Sequence, residues 1–219
     1  MTGPAARQGE RRLPMALAVA VAAGLYLVLP PDFRLTEAAV WAYPAFLLGL
    51  LVVLILGDPG RIDRERRWLR VTTGVMVAAI TVAAAVSAVR LVVGILTDAD
   101  FTDAAELLTI GAVVWVTMVI AYALWYWQLD SGGPAARANG TLRGLPAFRF
   151  PEHSLDDPAY AEWYPQFVDY LALSFSTGTA FGPTDVSAVR HWSKLWLISE
   201  SALSLAIIGL VVARAINEL

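Results

Sequence analysis

Glu200 is the residue whose type and setting most clearly suggest chemistry. It lies eight residues into an apolar run that starts near Trp192, about 12 Å along a helix from that start. Ser193 and Ser204 share its helical face, and Ser199 and Ser201 sit beside it. A carboxylate facing lipid is costly, so Glu200 is expected to face protein or water and is a functional candidate by default. The competing reading is a paired or protonated structural Glu that holds helices together.

A second candidate lies just upstream. Phe167–Phe175 is apolar but short of the about 20 residues that a crossing helix needs. It runs into a Thr/Gly/Pro stretch, Thr177–Asp185, expected to leave helical geometry. A short helix, a non-helical strand and a full span together suggest a re-entrant loop. Such backbone is tolerated at membrane depth only when buried in protein or lining water. Thr177, Thr179, Phe181, Gly182 and Thr184 are expected to line a narrow path, mainly through backbone carbonyls, with Glu200 setting the local charge. Asp169, Asp185 and Arg90 are read as structural polar residues. Arg90 is expected either to pair with Glu200 or Glu106, or to snorkel to the surface on its long stem. The acids Glu152, Asp156, Asp157 and Glu162, with His153, read as a solvated loop face rather than a cation site.

No phosphate-binding loop, nucleophile elbow, zinc-protease or dinucleotide pattern occurs, so the chain is not read as an enzyme. It has no cysteine, which excludes disulfides and thiolate chemistry, and with two histidines no His-rich metal site is expected. No cofactor and no nucleic-acid partner are expected.

These candidates need a membrane to position them. The 219 residues are 58% hydrophobic, above the roughly 45–50% of soluble domains. Five apolar segments, about 13–30, 38–56, 71–96, 106–127 and 192–216, are expected to span. The resulting fold is an all-α membrane protein of five transmembrane helices, with a re-entrant short helix and loop before the last. Its parts are a tail over 1–12, a four-helix region over 13–127, a connecting loop over 128–165 that begins as flexible linker, and the re-entrant module with the last helix over 166–219. Small residues four apart, such as Ala20–Gly24, Gly74–Ala78 and Gly209–Ala213, suggest close helix contacts.

Arg and Lys concentrate in the N-terminal tail, in 57–70 and in 128–194, whereas 97–105 has none. The positive-inside rule then puts the N-terminus in the cytoplasm and the C-terminus outside a bacterial inner membrane.

The layout resembles an uncharacterised bacterial family of small integral membrane proteins. The residues that carry the likeness are Phe167-Val168-Asp169-Tyr170-Leu171, Ser174-Phe175, Gly178-Thr179-Ala180-Phe181 and Thr184-Asp185-Val186. Locally, Ser176–Val186 also resembles a degenerate potassium-channel pore loop, keeping Thr179, Phe181, Gly182 and Asp185 but inserting Pro183-Thr184. That second resemblance implies a homo-oligomer, a tetramer if a channel, that passes monovalent cations within membrane lipid. The alternative is a non-conducting membrane protein or small transporter subunit with a buried Glu200–Arg90 pair.

Overall fold

Prolines set the ends of the first two helices. α1 (Leu13–Val28) stops ahead of Pro30-Pro31, with Leu29 extended at φ −61°, ψ 139°, because a residue preceding proline disfavours the helical region. α2 (Ala42–Gly57) ends in the same way at Asp58-Pro59. The computed structural model describes residues 8–35, 40–97, 104–180 and 185–217. It is 75% helical, with seven α-helices among the described residues and no closed sheet. The others are α3 (Arg67–Leu96), α4 (Ala104–Leu129), α5 (Pro134–Ala138), α6 (Phe167–Ala180) and α7 (His191–Asn217).

Among the described residues three helices, α3, α4 and α7, are long and apolar enough to cross a membrane. They account for three of the five spans expected. The other two expected spans fall on α1 and α2, which are apolar but have 16 residues each, about 24 Å of helix, short of the roughly 30 Å hydrocarbon layer. One expectation is corrected: Thr177–Ala180 stay helical. Thr177 and Thr179 donate their hydroxyls to the Leu173 and Phe175 carbonyls, at 2.8 and 2.9 Å, and this back-bonding lets a threonine remain within a helix.

α4 is the hub, packed on α1, α3, α6 and α7. At one end of the bundle lie the start of α1, the end of α2, the starts of α3, α6 and α7, and the end of α4. Two short antiparallel pairs tie this end together, β1 (Glu10–Arg11) with β2 (Arg61–Ile62) and β3 (Phe148–Arg149) with β4 (Ser187–Ala188). Arg12 adds an ion pair to Asp58 at 3.2 Å. We call this the basic end, since the arginine-rich segments gather there. Its core is aromatic, with Tyr126, Trp127, Phe148, Phe167 and Tyr170 fully buried. The opposite end is packed by aliphatic residues, among them Leu91, Leu107, Ile110 and Val211.

The start of the 128–165 connection is not the flexible linker expected. Ser131, Gly132 and Gly133 take φ of 53°, 95° and 96°, a left-handed turn that suits glycine. This turn folds α5 back under α4, and Pro134, Ala136, Arg137 and Ala138 are buried.

Candidate functional site: the polar seam between α4, α6 and α7

α6 buries one face, made by Phe167, Tyr170, Leu173, Ser174 and Thr177. That spacing is a single helical stripe. α7 buries Ser193, Leu197, Glu200, Ser204, Ile207, Val211 and Ala215. Its stripe is polar in the first half and apolar in the second. The polar half is the part that faces the short α6.

The contacts fix the helix directions. Tyr170 is bonded at the basic end, Ser174 to Val119 on α4, and Gly178 lies beside Trp115 and Ser204. α6 therefore runs parallel to α7 and antiparallel to α4. Ser193 at the basic end donates to the Ala147 carbonyl at 3.0 Å. Ser204 is eleven residues further along, about 16 Å of helix. By Ser187–Ala188 the chain is back at the basic end, paired with β3.

Glu200 sits within this seam at 0% exposure. Tyr126 donates its hydroxyl to Oε2 at 2.5 Å, and the Ser174 hydroxyl lies against Oε1. Ser174 Oγ is also 2.8 Å from the Val119 carbonyl. Below Glu200, Tyr122 and Ser199 hydroxyls meet at 2.9 Å. Above it, Trp115 donates Nε1–H to Ser204 Oγ at 2.7 Å, and Ser204 donates to the Gly178 carbonyl. Ser201 approaches the Thr177 carbonyl at 3.5 Å. Two of the last four carbonyls of α6, which a helix leaves without an internal partner, those of Thr177 and Gly178, thus meet α7 serines.

Thr177 is therefore packed inside the chain at 0% exposure, not on an open path as expected. Thr179 is exposed and helical. Phe181, Gly182 and Thr184 lie outside the described residues. Asp169 accepts the Gln166 N–H at 2.7 Å and so caps the start of α6. Asp185 is exposed on the approach to β4.

The pair anticipated between Arg90 and Glu200 is not formed. Arg90 lies at the opposite end, where it donates to the Asp32 carbonyl at 3.0 Å and to the Arg34 carbonyl. It ties the turn after α1 to α3, and Ser87 does the same through the Phe33 carbonyl at 2.8 Å. The loop acids do not converge either. Among the described residues no group of three or more His, Cys, Asp or Glu side chains is placed to hold a metal ion.

A second polar cluster, not anticipated from the sequence, closes the seam at the basic end. Asp130, 1% exposed, accepts from the Tyr170 hydroxyl and the Ala147 N–H, both at 2.6 Å, and from Ser131 at 3.0 Å. Buried Arg137 donates to the Trp127 and Asp130 carbonyls at 2.8 Å and to the Pro165 carbonyl at 3.2 Å. Its guanidinium carbon lies 4.9 Å from the Tyr170 ring centre, a cation–π distance. Glu10 accepts from Trp127 Nε1–H and from the Phe167 N–H at 3.2 Å. Burial pushes the Glu10 carboxyl up to about 7, against the lowering influence of Arg137 and these two hydrogen bonds.

The Phe148 ring stands between the two clusters, 5.0 Å from Tyr126 and 6.2 Å from Tyr170. The only sequence sign of the lower cluster is Asp130 at a helix end followed by Ser-Gly-Gly-Pro. Glu10 gives none, since its partner Trp127 is 117 residues away. Comparison with protein-family models, with curated proteins and with solved structures returns no match, so the chain's own geometry carries the functional reading.

Proposed function

We propose that this chain is a multi-pass membrane protein of the ion-transport class, in which protons pass along the α4–α6–α7 seam through Glu200. In this reading all five longer helices cross, and α1 and α2 reach the interfaces by local thinning of the bilayer. α6 enters from the basic end, and the chain returns to that end before α7, which makes α6 re-entrant. The positive-inside rule puts the basic end in the cytoplasm and the C-terminus outside a bacterial inner membrane.

One observation carries the reading. Glu200 is fully buried in mid-helix, and among the described residues its hydrogen-bond partners are hydroxyls and it forms no ion pair. An isolated buried carboxylate is too costly to keep charged, so the site favours a proton. The donor inventory agrees. A serine hydroxyl has one proton, yet Ser174 faces two acceptors, Val119 O and Glu200 Oε1. Both contacts are satisfied together when Glu200 is protonated and donates to Ser174. A group that exchanges a proton between hydroxyl partners is the working part of a proton relay.

Flux into liposomes tests this. Purified protein is expected to acidify vesicles loaded with a pH-sensitive dye when a membrane potential is imposed, and Glu200→Gln is expected to abolish the signal. Flux equal to protein-free vesicles would contradict the reading.

The reversal of the chain between Gly178 and Ser187 favours one alternative, an oligomeric pore around the return segment. A single loop cannot encircle an ion, so this needs several copies, most simply four in cyclic symmetry. Thr179, Phe181, Gly182 and Thr184 would line it. Potassium or sodium flux that survives Glu200→Gln would select this pore over the proton relay.

A further inference from the structure

Six arginines, Arg12, Arg64, Arg66, Arg67, Arg70 and Arg143, line one crevice of about 690 Å³ at the basic end, between the starts of α1 and α3 and the end of α4. Only two acids share it, Asp58 and Glu65. Both are already engaged. Asp58 pairs with Arg12 at 3.2 Å and Arg64 at 3.6 Å, and Glu65 with Arg143 at 3.4 Å. Among the described residues the side chains of Arg66, Arg67 and Arg70 have no ion pair or hydrogen bond.

These three arginines crowd the first turn of α3, which contains no acid and no side-chain cap. The start of a helix carries partial positive charge. Three guanidinium groups there repel it and one another unless an anion joins them. Phosphate esters are the natural partner, because a guanidinium fork matches two phosphate oxygens at once.

Part of the lining is apolar. It includes Leu54, Val71, Gly74 and Trp125. Val71 is 56% exposed, so the crevice opens onto the outer flank of α3. A soluble phosphate has no use for such a wall, whereas an acyl chain does. Basic pockets between helices at the cytoplasmic side suit acidic lipid headgroups. We infer that this crevice binds an anionic phospholipid, with its phosphate among Arg66, Arg67 and Arg70 and an acyl chain along Val71 and Gly74. The site is separate from the Glu200 seam and stands whether or not protons move there.

The test uses the full chain, reconstituted with phosphatidylcholine alone or with added phosphatidylglycerol, extracted into detergent and examined by native mass spectrometry. Wild type is expected to retain phosphatidylglycerol selectively. Each arginine in contact with an acidic headgroup is worth roughly fivefold in affinity, so Arg66→Gln/Arg67→Gln/Arg70→Gln together should weaken retention on the order of a hundredfold. The charge-matched control Arg149→Gln/Arg190→Gln/Lys194→Gln removes three charges that do not line the crevice, and should retain the lipid. Equal loss in both triple variants overturns the proposal.

Gly74→Leu gives a second arm that leaves every arginine in place. A Cβ at Gly74 meets nothing within 4 Å, so the side chain enters open crevice. It should displace the acyl chain and lower retention even if the arginine variant fails to fold. Retention by Gly74→Leu equal to wild type overturns the lipid assignment. So does thermal stabilisation of the delipidated protein by inorganic phosphate that matches the effect of phosphatidylglycerol.

Discussion

Ser174 and Glu200 meet at the centre of the seam, the serine hydroxyl against Oε1 of the carboxyl and at the same time 2.8 Å from the Val119 carbonyl. Loss of the Glu200 proton obliges Ser174 to turn its single hydrogen to the carboxylate and to give up Val119. This one hydrogen bond between α6 and α4 therefore depends on whether a proton sits on α7. That links a buried charge to the seating of the short helix.

Tyr126→Phe and Ser174→Ala each remove one hydroxyl partner from Glu200. Each is expected to lower thermal stability in detergent by about 1–3 kcal/mol. Paired with Glu200→Ala in a double-mutant cycle, each should show a coupling of about 1 kcal/mol or more. Additive losses would show that the hydroxyls and the carboxyl do not act together.

Phe148→Ala opens the barrier between the Tyr126 and Tyr170 clusters. The ring is fully buried, so its loss should cost about 3–5 kcal/mol. In folded protein it should raise the passive proton leak of liposomes above wild type. An unchanged leak would remove Phe148 from the pathway.

Glu10 sets a pH dependence whose sign follows from burial. Its folded value of about 7 lies above the ordinary 4.5. Between those two values the folded protein holds a proton that the unfolded chain has lost. Stability is therefore full below about pH 4.5 and falls as pH rises through about 7. The difference is worth about 3 kcal/mol. Glu10→Gln should flatten the dependence of melting temperature on pH over this range. A slope like that of wild type would show that Glu10 is not the titrating group.

Much of this arrangement was legible because its signals are local. Long apolar runs mark α3, α4 and α7, and the shared face of Ser193, Glu200 and Ser204 marks the seam. What was not legible depends on distant partners. Arg137 sits in a Gly/Pro-rich stretch that reads as linker, yet its guanidinium bonds carbonyls of residues 127, 130 and 165. Thr177–Ala180 look like helix breakers until their hydroxyls bond back to the preceding turn. Small-residue spacing misled as well. A Cβ at Gly24, Gly74 or Gly209 would meet nothing within 4 Å among the described residues, so these glycines give no close contact there. A close approach of α4 to α7 is at Gly111 instead.

A Cβ at Gly111 would lie 2.8 and 2.9 Å from the two Val211 methyl carbons on α7, closer than carbon atoms pack. Gly111→Ala should lower stability by about 1–3 kcal/mol. Adding Val211→Ala should recover part of that loss, read as melting temperature in detergent. A Gly111→Ala variant as stable as wild type would show that α4 and α7 have room to separate here.

The central claim is that Glu200 takes up and releases a proton in place. Infrared difference spectra of the reconstituted protein across a pH titration test it most directly, because a protonated buried carboxyl has a C=O stretch apart from the amide bands. The expected result is a titrating carboxyl band in wild type that disappears in Glu200→Gln and shifts in Tyr126→Phe. A spectrum in which Glu200→Gln removes no carboxyl signal at any pH would contradict the account.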